Sequence, residues 1–136
     1  MPTQLSFSEQ YRYLDNEAGI TIPVLLGHNE KVITVTAKVD TGAEVCLFAR
    51  EHGERLGLAI DEGLAITLSS LGGPVEAYGH EITIQTLGIA FQSWVYFHRF
   101  PGQERNLLGR RGWLRNFRLA VIDYESLVYL SLYDEG

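Results

Sequence analysis

Cysteine is almost absent from this sequence, and so are long apolar runs. With Cys46 as the single cysteine, no disulfide can form within the chain, and a reducing compartment, the cytoplasm, is expected. No apolar run reaches the length of a membrane span, and Met1 to Gln10 lack the basic and apolar regions of a signal peptide. We therefore expect a soluble protein with no membrane partner.

Positive charge is also scarce. Eleven Lys and Arg residues against 17 Asp and Glu give a net charge of -6, which argues against nucleic acid as a partner. Apolar residues make up 46% of the 136 residues, enough for one globular domain with a small core. The four histidines are widely separated and show no paired-ligand spacing, so no metal or other cofactor is expected: His28, His52, His80 and His98.

Short strand signals follow one another along most of the chain. Alternating or β-branched apolar runs predict strands at 20–26, 32–39, 64–69, 75–78, 81–86, 89–97, 117–122 and 127–132. A short helix is predicted between Phe48 and Leu58, and another around Trp113. This pattern predicts an all-β barrel or sandwich over residues 19–136, preceded by an N-terminal arm at 1–18.

Three motifs stand in order along the predicted strands. The second strand ends in Asp40-Thr41-Gly42-Ala43, a glycine-rich turn follows at Leu71-Gly72-Gly73-Pro74, and Leu107-Leu108-Gly109-Arg110 lies further downstream. Together they resemble the active-site motif, the flap and the second active-site segment of retropepsin-like aspartic proteases. The resemblance covers roughly residues 20–133 and is closest to the retroviral-like proteases found in cellular genomes.

This resemblance implies a fold, an activity and a set of site residues. The implied fold is all-β: a closed acid-protease barrel with a flap hairpin and one or two short helices. The implied activity is that of an aspartic endopeptidase without a cofactor. The resemblance assigns catalysis to Asp40, Thr41 and Gly42, substrate binding to Ala43, Glu44, Leu71, Gly72, Gly73, Pro74 and Leu108, and structural support to Leu107, Gly109 and Arg110.

Individual roles follow from the same resemblance. Thr41 is expected to lock two active-site loops together through its hydroxyl. Gly42 is expected to let the backbone approach the carboxylates closely, since any Cβ would crowd them. Glu44 is expected to face Arg110, and the turn at Gly72-Gly73 to be a mobile flap over bound substrate.

One active-site motif implies two copies of the chain. In aspartic proteases, two carboxylates about 3 Å apart share one proton, which is the established chemistry of this class. Here only Asp40 precedes Thr-Gly; the other aspartates do not: Asp15, Asp61, Asp123 and Asp134. The second carboxylate must then come from a second Asp40 across a two-fold axis, and the partners expected are a second copy and a peptide or protein substrate.

Other interpretations remain open. Asp40-Thr41-Gly42 could be an ordinary turn at a strand end, and Gly72-Gly73 a plain hairpin turn. A catalytically silent dimer could bind extended peptides by adding a strand to a sheet edge, and a processing domain could act on its own precursor. The N-terminal arm and the C-terminal hairpin extend beyond the retroviral pattern, which leaves the mode of dimerisation open.

Overall fold

The computed structural model describes residues 1–16, 18–103 and 105–135. Position 17, in the predicted arm, and positions 104 and 136 lie outside the described residues. The strands, in chain order, are β1 (Glu9–Arg12), β2 (Thr21–His28), β3 (Lys31–Val39), β4 (Leu47–Phe48), β5 (Leu64–Leu68), β6 (Val75–Thr86), β7 (Ile89–His98), β8 (Leu107–Leu108), β9 (Phe117–Ile122) and β10 (Leu127–Leu132).

Six of these strands close into a barrel. Their pairings run β2–β3–β8–β4–β7–β6, and β6 returns to β2 through partners such as Ile84 and Leu26. Strand β5 pairs only with β6 and extends the sheet as a hairpin. The prediction of an all-β barrel is confirmed. Because the ring is closed, the backbone groups of its strands are paired on both sides over much of the barrel.

The barrel wall follows the alternation of its strands. In β2 every second residue is buried, with Ile22 and Leu26 at 0% exposure and Val24 at 1%. Side chains of successive strand residues point to opposite faces, so one face of the β2–β3 hairpin fills the barrel. Asn29, at φ 54°, makes the tight turn between the two strands.

Strand β6 includes the glycine between its two predicted stretches. The sequence predicts a strand at 75–78 that continues at 81–86, and Gly79 lies between them. In the structure the strand is continuous, and the Trp94 side chain on β7 covers Gly79. A Cβ at Gly79 would lie 2.5 Å from Trp94 Cζ2, so the glycine provides the space in which the indole lies.

Helix is confined to short segments of the described residues. The predicted helix at 48–58 is realised as α1 (Arg50–Arg55), because Phe48 belongs to β4 and Gly57, at φ 80°, ends the turn. The segment after Trp113 is a single 3-10 turn, Leu114–Asn116. In the part of the chain that the structure describes, no helix is long and apolar enough to span a bilayer.

A second sheet joins the two ends of the chain. Its order is β1-β10-β9, with all pairs antiparallel. The hydroxyl of Tyr13 donates to the Asp123 carboxylate, and the Tyr13 N–H donates to the Ser126 carbonyl at 3.0 Å. Strand β1 was not predicted, because four residues with one aromatic, Tyr11, carry too little alternation. Part of the predicted arm is thus held against the C-terminal hairpin.

Trp113 lies at the centre of the core. Its side chain is fully buried, and its Nε1 donates a hydrogen bond to Thr86 Oγ1 at 3.0 Å. The ring also packs on Phe117, with 4.9 Å between ring centroids. This arrangement buries a large apolar surface while satisfying the one polar atom of the indole.

Two histidines make stability dependent on pH: His98, which is buried, and His52, which is half-buried in α1. Burial lowers the pKa of His98, and Arg105 adds to this while Glu51 opposes it. Burial also lowers the pKa of His52; Arg55 lowers this pKa further, and Glu51 opposes the shift. The folded state then binds fewer protons than the unfolded state, so stability is complete above the unfolded value of about 6.5 and is lost as pH falls below it.

We expect the urea midpoint of unfolding to be lower at about pH 5 than at about pH 8, since at pH 5 protonation of these two partly desolvated histidines is favoured more in the unfolded state. The variant His98→Gln should reduce this difference, and a variant that also carries His52→Gln should reduce it further. Urea titrations of the three proteins at both pH values give the comparison. An unchanged pH difference in the double variant would contradict the assignment.

Candidate active site

Asp40 stands directly after β3, at the point where the chain turns. Its N–H donates to the Leu108 carbonyl at 3.0 Å, and its carbonyl accepts the Ala43 N–H at 3.1 Å. Its carboxylate oxygen Oδ1 accepts the Gly42 N–H at 3.0 Å. The side chain is half-buried, whereas Thr41 and Gly42 are exposed. The carboxylate is thus oriented by backbone within its own turn and remains open on one side.

Gly42 lies close to this carboxylate. A Cβ at Gly42 would lie 3.3 Å from Asp40 Oδ1, closer than most real Cβ contacts. Any larger residue would therefore push on the oxygen that the Gly42 N–H holds.

The two outer sequence motifs meet beside this turn. Strand β8 lies between β3 and β4, parallel to β3 with Leu108 beside Val39, and antiparallel to β4 with Leu107 beside Leu47. The contact continues past β8, where the Arg110 N–H donates to the Ala43 carbonyl at 2.9 Å. Two distant segments of sequence thus form one layer around Asp40.

Gly109 makes this close approach possible. A Cβ at that position would lie 2.2 Å from the Val45 carbonyl oxygen and 2.9 Å from the Ala43 carbonyl oxygen. Both neighbours are backbone atoms, which cannot move aside as a flexible side chain can. Any residue larger than glycine would therefore separate the β8 segment from the Asp40 loop.

Asn106 supports the same layer and was not singled out from the sequence. Its carbonyl accepts the Lys38 N–H at 2.8 Å, and its side-chain Oδ1 accepts the Ala49 N–H at 3.0 Å. One residue therefore joins the end of β3 to the start of α1. An asparagine directly before an apolar pair was the available signal, but it is common in loops.

The predicted role of Leu108 needs correction. Leu108 was expected to contact substrate, yet its side chain is 1% exposed and belongs to the hydrophobic core. Leu107, predicted to be structural support, is half-buried and lies on the opposite side of the strand. Consecutive strand residues point to opposite faces, so only Leu107 can face away from the core.

The predicted partner of Glu44 also needs correction. Glu44 Oε1 lies 3.5 Å from Nε of Arg111, not beside Arg110. The backbone register explains this, because the Arg111 N–H donates to the Glu44 carbonyl at 2.8 Å while Arg110 is bonded to Ala43. Both side chains are largely exposed, at 62% and 71%, so this ion pair contributes little to stability.

The glycine-rich turn is the tip of the β5–β6 hairpin. The Gly73 N–H donates to the Ser70 carbonyl at 3.1 Å, and Ser70 Oγ donates to the Gly73 carbonyl at 2.5 Å. Gly73 has φ 110°, a conformation that favours glycine. Leu71 is fully exposed, and nothing lies within 4 Å of a Cβ built at Gly72 or Gly73. The tip, which ends at the exposed Pro74, is held only by its own turn.

Other chemistry near the turn is limited. Cys46 is fully buried, and burial raises the pKa of its thiol to about 12, so it stays protonated at neutral pH. The described residues contain no group of three or more His, Cys, Asp or Glu side chains placed to hold a metal ion. Two shallow surface pockets, one beside Arg99 and one beside Pro23, are not lined by Asp40.

Comparisons with known protein families and solved structures agree with the fold described above. A family model described as aspartyl protease matches residues 22–111. Among solved structures, the EIAV protease in complex with the inhibitor HBY-793 is 23% identical, with a TM-score of 0.54 over 72% of this chain and 88% of that one. A retropepsin-like aspartic protease from Rickettsia conorii is 17% identical, with a TM-score of 0.65 over 91% and 99% of the two chains. Curated protein sequences show no significant match.

These likenesses establish the fold. Both structures share it across most of their own length, so the predicted retropepsin-like barrel is confirmed. At such low identity, the structural likeness alone says nothing of individual side chains.

We expect Gly109→Ala to destabilise the protein by about 3 kcal/mol, the upper end of typical overpacking costs, because the new methyl group meets backbone on two sides. Gly72→Ala is the matched control, since its Cβ would meet nothing within 4 Å. Urea unfolding of both variants measures the difference. Equal stability of Gly109→Ala and the unmodified chain would contradict the close packing described here.

Proposed function

The chain belongs to the aspartyl protease family, and from that premise we propose that it is an endopeptidase whose catalytic pair consists of two Asp40 carboxylates, one from each subunit of a homodimer. The observation that carries the proposal is the state of Asp40 in a single copy. Its carboxylate is oriented by the Gly42 N–H and its turn is exposed. The sequence contains one Asp-Thr-Gly and no Asp-Ser-Gly that could supply a second carboxylate of the same kind.

The chemistry follows from a pair of like carboxylates. Held about 3 Å apart, they cannot both ionise, so the pair carries one proton, as is established for aspartic proteases. The ionised member takes a proton from water, and the water oxygen bonds to the carbonyl carbon of the peptide. The protonated member donates to the carbonyl oxygen. The carboxyl that took the proton from water then gives it to the amide nitrogen, and the other carboxylate takes a proton back from the diol. The C–N bond breaks, which releases an amine and a carboxylic acid and restores the singly protonated pair.

The surrounding residues have proposed roles in this scheme. Thr41, exposed in a single copy, links the two Asp40 loops across the two-fold axis through its hydroxyl. Ala43 and Glu44 border the substrate, and Leu71 to Pro74 close over it as a flap. Gly109 and Asn106 hold the Asp40 loop, while Arg110 contributes through its backbone bond to Ala43. The lone, buried Cys46 is compatible with a cytoplasmic location.

A silent peptide-binding dimer is the second candidate. One observation favours it: β5 is an edge strand of the barrel sheet, so its outer edge can accept an added strand from an extended peptide. Binding of this kind makes no use of a carboxylate pair. The two candidates therefore differ in whether Asp40 matters for turnover.

We expect Asp40→Asn to lower peptide cleavage by at least a factor of about 100, the lower end of what a positioned acid or base contributes, while fold and dimer persist. Asparagine keeps the shape of the side chain but cannot share a proton. Mass spectrometry of a peptide library after incubation gives the readout, with Asp134→Asn, an exposed carboxylate elsewhere, as the control. Full turnover by purified Asp40→Asn protein would overturn the proposal.

We expect specific activity to rise with protein concentration and then reach a plateau, because each site needs two chains. Initial rates over a dilution series, with sedimentation velocity at the same concentrations, test this directly. An active species that sediments strictly as a monomer would exclude the shared pair.

A further inference from the structure

One row of paired residues crosses five strands of the sheet, from β8 to β5. Leu107 pairs with Leu47, Leu47 with Tyr96, Tyr96 with Gly79, and Gly79 with Leu64. Residues paired directly across neighbouring strands point to the same side of a sheet. This row therefore lies on one face, from β8 to the edge strand β5.

That face is the one turned away from the barrel core. The next residues along three of the strands, Phe48, Phe97 and Leu108, are at most 1% exposed and belong to the core cluster. Leu47 is 7% exposed but is not a member of that cluster. The row is thus a second apolar surface, separate from the packed interior.

The row begins beside Asp40 and ends on the flap hairpin. At one end, Leu107 precedes the residue whose carbonyl accepts the Asp40 N–H. At the other end, the same face continues along the β5–β6 hairpin toward its tip, through the paired residues Ile66 with Ala77 and Leu68 with Val75. A peptide lying over Asp40 and under the hairpin tip would run along this surface.

Trp94 stands at the outer part of this surface. It lies two residues from Tyr96 on β7, so it shares that face. Its ring covers Gly79 and meets the Tyr96 ring edge-on, with 6.3 Å between centroids and an interplanar angle of 86°. Yet Trp94 is 43% exposed, and Leu64, the partner of Gly79 on β5, is 61% exposed. The indole is therefore packed against Gly79 on one side and Tyr96 on another, while part of its surface is exposed to solvent.

We propose that Trp94, Tyr96 and Leu64 form a distal subsite, the aromatic shelf, that receives a large apolar side chain of the peptide substrate. This inference rests on the proposed function, because it takes the cleft over Asp40 to hold an extended peptide. The occupant is a substrate segment because the shelf is continuous, strand by strand, with the Asp40 loop. Tryptophan and tyrosine offer broad apolar area at low conformational cost, which suits an aromatic or long aliphatic partner.

The register also sets the distance of the shelf from the cleaved bond. Tyr96 is two strands from Leu107, or about 10 Å across the sheet, and Trp94 is two residues, about 7 Å, along β7 from Tyr96. The two displacements are at right angles, so Trp94 lies about 12 Å from Leu107. An extended peptide advances about 3.4 Å per residue, so the shelf lies roughly four residues from the scissile bond. Because a two-fold dimer carries two shelves, the preference applies on both sides of that bond.

The first test measures binding without turnover. The chain has two tryptophans, and Trp113 is fully buried, so a change in fluorescence on binding reports on Trp94. The Asp40→Asn protein is titrated with peptides that carry a single Phe, moved one position at a time through an alanine-rich sequence. We expect the tightest binding, by about tenfold over the all-alanine peptide, with Phe roughly four residues from the cleavage position.

Three further variants in the Asp40→Asn background identify the cause. Trp94→Ala should lose both the fluorescence change and the preference, whereas Trp94→Phe should keep most of the preference, because it retains an aromatic face. Val32→Ala, which removes an exposed apolar side chain on β3, should leave both unchanged. Equal affinities for all Phe positions in the Trp94-containing protein would overturn the inference, as would a preference that survives Trp94→Ala.

A second measurement separates this inference from the proposed function. In the protein with Asp40 intact, Trp94→Ala should lower kcat/KM about tenfold for peptides that reach the shelf, and leave kcat/KM unchanged for peptides too short to reach it. Cleavage with no dependence on Trp94 would refute the shelf and leave the endopeptidase standing. Position-dependent binding without any cleavage would refute the endopeptidase and leave the shelf standing. A change in Trp94 fluorescence that depends on protein concentration and not on peptide concentration would show that a second copy covers the surface. That result would overturn the inference.

Discussion

The contact between Gly109 and the Val45 carbonyl determines how closely the two halves of the barrel meet. With no Cβ at position 109, the backbone after β8 lies directly against residues 43–45. Hydrogen bonds from Arg110 to Ala43 and from Asp40 to Leu108 then hold the turn from both sides. The orientation of the Asp40 carboxylate therefore depends on a residue far away in sequence. The rest of the fold can be regarded as the support that keeps this one backbone contact in register.

That support comes from two directions. Asn106 bonds to β3 through its carbonyl and to the start of α1 through its side chain. Behind the layer, Trp113 fills the core and is anchored to Thr86 on β6. A packed rear wall behind an exposed turn is compatible with the proposal that a second chain completes the site.

Much of this could be predicted from the sequence, and the misses share a physical cause. The long strands and the motifs at Asp40 and Gly109 carry strong local signals, since alternation and glycine placement reflect backbone needs. Strands β4 and β8 have two residues each, too few for any periodicity. Two corrections depend on a register of one residue: Leu108 faces the core, and Glu44 pairs with Arg111 instead of Arg110. Register is set by pairing with distant strands, which a single sequence does not reveal.

The closure of the barrel through β8 also orders events in time. Strand β3 pairs with a segment from the last third of the chain, and such non-local pairings form late because the intervening loop must first be closed at an entropic cost. During synthesis, the β2–β3 hairpin emerges long before β8. A growing chain therefore carries Asp40 on an unfinished turn until residues 107–111 have left the ribosome. The connectivity that fixes the position of the Asp40 carboxylate in the finished protein therefore leaves that position undefined in the nascent chain.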